Sequence, residues 1–238
     1  MGNPEILFIL YKPAVPGNIG ASARAIKTMG FSELRLISPC DHLGAEARML
    51  AHGANEILEK AKVFSSFEKS VEDADLIIAT TSKKRSAKVD YIPVRDLPGL
   101  ILEKGNTVKK TAILFGTEES GLPNELIRKA DLAMTIPLMT DYPSLNLSQA
   151  VMITAYELSP LFIYSSKDFA NDKEIKGWKE LRERTTVILK QIGIPEGSPL
   201  FHRILERTAM LGETDLNLLH SVTAKLFPLL KDNIRKVN

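Results

Sequence analysis

Short apolar runs rich in β-branched residues recur along the first two thirds of this 238-residue chain, and segments with a helical period separate them. The runs are continuously apolar rather than alternating, which is typical of strands that helices cover on both faces. This order predicts βαβ units, and therefore an α/β fold with a parallel sheet. The predicted strands cover residues 6–10, 34–37, 76–80, 112–115 and 133–136.

Helical periodicity fills the segments between these strands. The first crossover helix is predicted over 19–29, with Asn18 as its N-cap and Gly30 as the residue that ends it. The last helix of this part, over 147–164, is apolar on nearly every side, which indicates burial by more than one neighbour. Further helices are predicted over 45–60, 67–73, 94–104 and 124–129.

The segment 165–172 is poor in apolar residues and rich in loop-forming ones, which indicates a domain boundary. We therefore predict an α/β domain over 1–164, a linker over 165–174 and a small helical domain over 175–238. Thr214 is a candidate N-cap for the last helix, and Pro228 is expected to interrupt or end it. The three predicted helices of the carboxy-terminal part cover 174–191, 199–210 and 215–231.

The charge of the chain is distributed unevenly. Residues 1–174 have a net charge of −2 and residues 175–238 a net charge of +4. A basic segment on a near-neutral body favours a polyanionic partner, because neutralised phosphates release counterions on binding. A solvated helical surface explains the same charge equally well.

Several classes of protein are excluded by composition. A single cysteine, Cys40, rules out an internal disulfide framework, and four scattered histidines provide no metal-binding motif. The amino terminus lacks the basic flank of a secretory signal, and the most apolar stretch, 145–164, contains Glu157 and Pro160, so we expect no membrane span. These features together predict a cytoplasmic protein that uses no metal.

Polar residues gather in loops that follow the predicted strands. Open α/β sheets place ligand sites at this carboxyl edge. Arg24 lies among small residues that leave its guanidinium free to reach an anion, and Glu118 lies between two glycines that allow a close backbone approach. The loops cover residues 16–24, 80–82, 115–122 and 143–148.

Each loop also has a plain structural explanation. The first is an ordinary strand-to-helix turn with a solvated arginine, and 117–121 is an ordinary turn before the next helix. Helix capping explains why a polar residue occurs at position 146 or 148, as Asn146 or Ser148. The basic cluster after Ser82 is a solvated loop, or it contacts phosphates if it lies beside a ligand cleft; its members are Lys83, Lys84, Arg85 and Lys88.

The combination of these loops resembles the three ordered motifs of the SpoU/TrmH group of SPOUT RNA methyltransferases. The resemblance covers residues 5–160, and the stretches 25–30, 155–158 and 215–219 are similar to the TrmJ-like branch, which methylates ribose 2′-hydroxyls in tRNA. It is carried by Asn18-Ile19-Gly20 with Ala23-Arg24, by Phe115-Gly116-Thr117-Glu118 with Gly121-Leu122, and by Ile136-Pro137 with Ser144-Leu145-Asn146-Leu147-Ser148.

The resemblance implies an RNA 2′-O-ribose methyltransferase that uses S-adenosylmethionine, acts as a homodimer and carries a trefoil knot near the carboxyl end of the α/β domain. It also implies that the helix after Asn146 lies at the dimer contact. The implied cofactor-binding residues are Thr80, Thr81, Ser82, Gly116, Ile136, Ser144 and Leu145. The implied catalytic and substrate-positioning residues are Asn18, Arg24, Glu118, Ser144 and Asn146.

Three alternatives remain open from the sequence. The acceptor RNA is tRNA or rRNA, with cytidine or uridine of tRNA as the leading prediction. A catalytically silent relative that clamps RNA as a dimer is disfavoured by the intact Asn18, Arg24, Glu118 and Asn146 set. A nicotinamide-dependent enzyme of Rossmann type is disfavoured because no G-x-G-x-x-G fingerprint follows the first strand.

Overall fold

The computed structural model describes residues 4–82, 91–139, 144–164 and 177–235. Within these residues, seven parallel strands form one sheet with the order β3-β2-β1-β6-β4-β7-β5. This arrangement confirms the predicted α/β class. The strands are β1 (Glu5–Tyr11), β2 (Glu33–Ile37), β3 (Lys62–Phe64), β4 (Leu76–Thr80), β5 (Tyr91–Pro93), β6 (Lys110–Phe115) and β7 (Leu132–Thr135).

Helices cover both faces of the sheet and form the carboxy-terminal part. Among the described residues, none of them is long and apolar enough to cross a bilayer. They are α1 (Pro16–Thr28), α2 (Ala45–Ala51), α3 (Asn55–Lys60), α4 (Phe67–Ser70), α5 (Leu97–Glu103), α6 (Asn124–Lys129), α7 (Leu147–Leu158), α8 (Leu161–Tyr164), α9 (Trp178–Gln191), α10 (Pro199–Ala209) and α11 (Glu213–Arg235).

Strand β1 shows why the predicted strands read as unbroken apolar runs. Phe8 and Leu10 enter the larger hydrophobic cluster on one face of the sheet, while Leu7 and Ile9 enter the smaller cluster on the other. All four side chains are fully buried. A strand buried on both faces has no polar positions to alternate with, which is the expected pattern for a parallel sheet.

All five predicted strands are confirmed to within two residues at each end. Strands β3 and β5, the two edge strands of the sheet, were not predicted from the sequence. Each has only three residues, and neither is a continuous buried run. Short edge strands carry too few apolar positions for a periodicity to stand out.

The predicted start of the first helix is wrong. Helix α1 begins at Pro16, and its N-cap is Val15, whose side chain makes no capping hydrogen bond. Asn18 therefore lies within the first turn rather than at the cap. Proline fits this start because its fixed φ suits the first helical position and its missing N–H needs no partner there. Gly30, at a φ of +87°, ends the helix as predicted.

Two predicted helices are broken. The segment 45–60 divides into α2 and α3 around His52, which has a left-handed φ of +48° that no helix interior accepts. The segment 147–164 divides into α7 and α8 at Ser159 and Pro160, because proline supplies no N–H to continue the helix. The segment 94–104 begins with one 3-10 turn, Val94–Asp96, before α5.

Helix α11 differs from the prediction in two ways. It begins at Glu213, so Thr214 is not its N-cap, and it runs through Pro228. Pro228 lies on an exposed face, and so does Ala224, whose carbonyl oxygen loses its helical partner. Solvent can reach that oxygen, which lowers the cost of an interior proline.

The carboxy-terminal helices dock on the α/β body through buried polar and aromatic contacts. Trp178 is fully buried and belongs to the same hydrophobic cluster as Phe8. The ammonium of Lys104, also fully buried, donates to the carbonyls of Ala209 and Leu211 at the end of α10. Burial lowers the pKa of Lys104 to about 8. These contacts tie α9 and α10 to the segment after α5.

Helices α1 and α2 pack at van der Waals distance because α1 presents glycine to its neighbour. A Cβ atom placed on Gly20 would lie 2.0 Å from the carbonyl oxygen of Ala47 and 3.0 Å from the amide nitrogen of Ala51. Both are backbone atoms, so no side-chain rotation relieves the clash. The distance between the two helices therefore depends on the absent side chain of Gly20.

We predict that Gly20→Ala lowers the free energy of unfolding by about 2–3 kcal/mol, because a methyl group forces the two helices apart. Gly53→Ala is the matched control, since a Cβ there meets nothing within 4 Å; it should change stability by less than about 1 kcal/mol. Urea unfolding followed by circular dichroism measures both. Equal effects of the two substitutions would contradict this account of the contact.

Candidate active site

The connections that follow β4, β6 and β7 at their carboxyl ends line a single cleft, here called the crevice. Parallel strands end at one edge of the sheet, so residues far apart in sequence meet there. Its lining comprises Thr80, Thr81, Ser82, Phe115, Gly116, Thr117, Glu118, Glu119, Ser120, Gly121, Leu122, Met134, Ile136, Leu138, Ser144, Leu145, Leu147 and Ala150.

All seven residues predicted to bind the cofactor line the crevice. Of the predicted catalytic residues, Glu118 and Ser144 also line it, whereas Asn18, Arg24 and Asn146 do not. Asn18 and Asn146 are nevertheless joined to Glu118 by hydrogen bonds. The structure therefore brings four of the five together, and Arg24 remains apart from that group.

The carboxylate of Glu118 occupies the start of helix α1. Its Oε2 accepts the backbone N–H of Ala14 at 3.1 Å, and its Oε1 accepts the N–H of Val15 at 3.2 Å. Oε1 also accepts the side-chain amide of Asn18 at 3.0 Å. The N-cap residue Val15 makes no side-chain capping bond, so the carboxylate of a residue about one hundred positions away provides the acceptor for backbone N–H groups at this end of α1.

Asn18 extends this contact to the start of helix α7. Its Oδ1 accepts the side-chain amide of Asn146 at 2.9 Å. The Oδ1 of Asn146 in turn accepts the backbone N–H of Ser148 at 2.9 Å and the Ser148 hydroxyl at 2.7 Å. Asn146 is thus confirmed as the N-cap of α7, in a capping box with Gln149. One hydrogen-bonded chain links the connections after β1, β6 and β7.

The hydrogen bonds set the ionisation of Glu118. Partial burial acts to raise the pKa of its carboxyl, but the hydrogen bonds from Asn18, Ala14 and Val15 outweigh burial, and the pKa is lowered. Glu118 is therefore a carboxylate at neutral pH whose oxygens are already engaged. This arrangement suits a positioning role better than proton transfer.

Gly116 is required by the loop itself rather than by a ligand. A Cβ on Gly116 would lie 2.1 Å from the carbonyl carbon of Gly121 and 2.3 Å from the nitrogen of Leu122. Thr117 and Gly121 exchange backbone hydrogen bonds of 3.2 and 3.0 Å, which close the turn. The glycines therefore allow the backbone at Gly116 to approach the backbone at Gly121 and Leu122, rather than a ligand. This closed turn holds Glu118 in place.

Arg24 lies on helix α1, six residues after Asn18, and its side chain is exposed. Within the described part of the chain, its guanidinium makes no hydrogen bond or ion pair, whereas Lys27 on the same helix pairs with Glu56 at 3.0 Å. This agrees with the expectation that its small neighbours leave Arg24 free. A free guanidinium is available to an anionic partner.

One wall of the crevice consists of residues that were not predicted as site residues. Met134 and Leu138 flank Ile136 at the end of β7, and Ala150 faces the cleft from α7. They are apolar residues near polar motifs, and only the tertiary contact distinguishes them from core residues. Met134 and Leu138 lie two residues before and after Ile136, and Ala150 lies four residues after Asn146. This spacing from the motif residues is the sequence signal that could have identified them.

The lining of the crevice fits S-adenosylmethionine. Leu122, Ile136 and Leu138 offer an apolar wall to a purine ring, and Thr80 and Ser144 add residues with hydroxyl groups to the same lining. Glu118 and Glu119 line the same cleft, so negative charge is available to a cationic ligand. The described residues contain no cluster of metal-ligating side chains.

The basic residues predicted to contact RNA lie in two parts of the sequence. Lys83, Lys84, Arg85 and Lys88 lie outside the described residues, directly after Ser82 of the crevice. Among the described residues of the carboxy-terminal helices, four arginine or lysine side chains are paired with carboxylates: Arg182 with Asp131, Arg184 with Glu180, Lys190 with Glu196 and Arg203 with Glu206. These pairs reduce the positive charge that those helices present to a partner.

We predict that Glu118→Gln destabilises the protein by about 1–2 kcal/mol at pH 7, because an amide group cannot accept all three hydrogen bonds at the start of α1. Since the folded pKa of Glu118 is lowered, its contribution is complete above the usual carboxyl value of 4.5 and is lost as the pH falls through the lowered pKa. Urea unfolding between pH 3 and pH 7 measures both effects.

The matched control is Glu119→Gln, which alters an exposed neighbouring carboxylate for which the described residues provide no partner. We expect it to leave the free energy of unfolding within about 0.5 kcal/mol of the wild type. A wild-type pH dependence that Glu118→Gln leaves unchanged would show that the carboxylate does not hold α1.

Residues 5–156 match the SpoU rRNA Methylase family, and residues 176–229 match the carboxy-terminal domain of tRNA/rRNA methyltransferase LasT. The chain is 37% identical over 232 residues to an Escherichia coli K12 protein named uncharacterized tRNA/rRNA methyltransferase LasT, covering 98% of this chain and all of that one. It is 35% identical over 226 residues to tRNA (cytidine-2′-O-)-methyltransferase TrmJ of Methanocaldococcus jannaschii, covering 90% and 96%.

The fold is likewise similar to a solved structure of TrmJ from Z. mobilis ZM4. The TM-score is 0.64 at 29% identity, and the match covers 94% of this chain and 99% of that one. The matched family spans all three connections that meet at the crevice. The chain therefore belongs to the SpoU methylase family, in its TrmJ-like SPOUT branch.

Proposed function

We propose that this protein transfers a methyl group from S-adenosylmethionine to a ribose 2′-hydroxyl of tRNA, at a cytidine or uridine. The observation that carries the proposal is the hydrogen-bonded chain from Glu118 through Asn18 to Asn146, which joins the three family motifs beside one crevice. The relatives named TrmJ support the reaction and the tRNA substrate, since their names state both.

The crevice holds the methyl donor in this proposal. When bound, S-adenosylmethionine supplies an electrophilic methyl group on a sulfonium. Thr80, Thr81, Ser82, Gly116, Ile136, Ser144 and Leu145 bind it, mainly through backbone groups and apolar contact. Alignment of the two reactants is the main task of such a site and can lower a barrier by ~7–11 kcal/mol.

Arg24 stays positively charged in the proposed reaction. A guanidinium is always protonated in proteins, so it is poorly suited to act as a base. We assign to it the binding of a phosphate beside the target ribose and the stabilisation of the negative charge that develops on the attacking oxygen. Ser144 and Asn146, at the start of α7, position the ribose.

We also propose that the protein is a homodimer and that its α/β domain closes in a trefoil knot, as in the family it belongs to. Tyr156 is 63% exposed on α7, a helix whose mean hydropathy is high, which supports a second copy against that helix. The proposed domains are 1–164 and 175–238, joined by 165–174. A role in tRNA modification supports a cytoplasmic location.

RNA binding is assigned in part to Lys83, Lys84, Arg85 and Lys88, which follow the crevice residue Ser82 in sequence. Deletion of 175–238 is a poor test of RNA binding by the carboxy-terminal helices, because it removes Trp178 and Leu216 from the main hydrophobic cluster. Charge substitutions on those helices are the appropriate alternative.

We predict that the purified protein transfers label from S-adenosylmethionine to total tRNA, and that nucleoside mass spectrometry finds 2′-O-methylcytidine or 2′-O-methyluridine in the product. Transfer to rRNA instead of tRNA would change the assigned substrate and leave the assigned reaction, 2′-O-methylation, unchanged. An RNA complex without any transfer would identify a silent RNA-binding relative. If the protein neither binds nor methylates any RNA, the proposal is overturned.

We predict that Arg24→Lys retains methyl transfer to within about tenfold of the wild type, whereas Arg24→Ala loses about 10²- to 10³-fold in kcat, the usual cost of removing one charge-stabilising donor. A lysine keeps the point charge but loses the planar fork of donors. Single-turnover rates at saturating tRNA give the comparison. If the lysine variant is as slow as the alanine variant, the fork or a base role is essential.

A further inference from the structure

Two polar residues with unusual backbone conformations lie side by side at the carboxyl edge of the sheet. Lys12 follows β1 and has a φ of +46°, and Ser38 follows β2 and has a φ of +45°. The strands are in register at Tyr11 and Ile37, so Lys12 and Ser38 occupy equivalent positions on neighbouring strands. Left-handed backbone costs a residue with a side chain ~1–2 kcal/mol, and glycine is the residue that normally occupies it.

Hydrogen bonds hold the two connections in this conformation. The N–H of Lys12 donates to the carbonyl of Ile37 at 2.8 Å, and the N–H of Ser38 donates to the carbonyl of Phe64 at 3.0 Å. The N–H of Cys40 donates to the carbonyl of Pro13 at 3.1 Å, which joins the two connections to each other. The two side chains therefore project from a rigid edge.

The side chain of Lys12 is exposed and contacts no carboxylate in the described part of the chain. Its ammonium lies 5.4 Å from the ring centroid of Tyr11, the preceding residue. The Ser38 side chain is exposed as well. Lysine and serine are both common phosphate-binding residues, and among the described residues neither of these side chains makes a hydrogen bond or an ion pair that would explain it.

The pair lies next to the crevice. Ala14, two residues after Lys12, donates its N–H to Glu118 of the crevice. Strand β1 pairs with β6, whose end carries the crevice glycine Gly116, and β2 pairs with β1 on its other side. Neighbouring strands are ~4.8 Å apart, so the ends of β1 and β2 lie about 5 and 10 Å from the end of β6.

From these observations we propose that Lys12 and Ser38 bind a backbone phosphate of the acceptor RNA, on the β1–β2 side of the crevice. The proposal rests on the proposed function and extends it to residues outside the family motifs. A strand of RNA whose target ribose enters the crevice carries its phosphates along this edge. Lys12 supplies the charge, and Ser38 supplies a neutral hydrogen bond.

The test compares the affinity for tRNA of the wild type with that of Lys12→Ala and Lys12→Gly, by filter binding at several salt concentrations. We expect either variant to weaken binding about three- to fivefold at moderate salt. The slope of log K against log salt is negative, and its magnitude should decrease by about 0.7–0.9, which corresponds to the counterions released from one phosphate. The KM for tRNA should rise while kcat at saturating tRNA stays unchanged.

The glycine variant separates binding from folding. Glycine accepts the left-handed backbone without strain, so the Tm of Lys12→Gly should equal or exceed that of the wild type even though RNA binding is weaker. Ser38→Gly should weaken binding about threefold and leave the salt slope unchanged, because the lost contact is neutral. A loss of affinity that follows a loss of Tm would overturn the assignment.

Lys109→Ala is the matched control. Lys109 is an exposed lysine just before β6. It lies where the strands begin, whereas Lys12 and Ser38 lie where the strands end. It should leave the affinity and the slope unchanged. An equal effect of Lys109→Ala, or an unchanged slope in Lys12→Ala, overturns the proposal for Lys12 while methyl transfer by the wild type still supports the proposed function. A wild type that neither binds nor methylates RNA overturns both.

Discussion

The carboxylate of Glu118 is the contact on which the geometry of the crevice depends. It supplies acceptors to two backbone N–H groups at the start of α1 and to the side chain of Asn18. Through Asn18 and Asn146 the same contact reaches the start of α7. The connections after β1, β6 and β7, which lie far apart in the sequence, are thereby held in one arrangement. Hydrogen bonds to a charged acceptor are also stronger than those to a neutral one, which favours a single conformation of the three connections.

Helix α1 is positioned from two directions. Glu118 holds its first turn, and along its length Gly20 allows the backbone of α2 to approach as closely as van der Waals contact permits. The direction in which Arg24 leaves the helix is therefore determined by packing that involves neither a ligand nor a partner. A site built in this way needs little rearrangement before it binds, which reduces the cost of ordering its residues.

The sequence was informative where the physics is local. Continuous apolar runs located five strands. Helix capping was predicted for Asn146 or Ser148, and the structure assigns it to Asn146, whose partners Ser148 and Gln149 are its neighbours. The start of α1 was misplaced because the side chain of Asn18 bonds to Glu118, one hundred residues away, instead of capping the helix, and no local pattern shows such a contact. The turn at His52 was missed for a similar reason, since no glycine marks its left-handed backbone. The order of the motifs predicted which loops meet, but not the hydrogen bonds that join them.

The burial of Trp178 has an experimental consequence. It is the single tryptophan of the chain and lies where the carboxy-terminal helices meet the α/β body. Intrinsic fluorescence excited at the indole band therefore reports on that junction alone, whereas far-ultraviolet signals report on all helices and strands. If the fluorescence changes at a lower denaturant concentration than the far-ultraviolet signal, the helices detach before the sheet unfolds, and the chain does not unfold in one step.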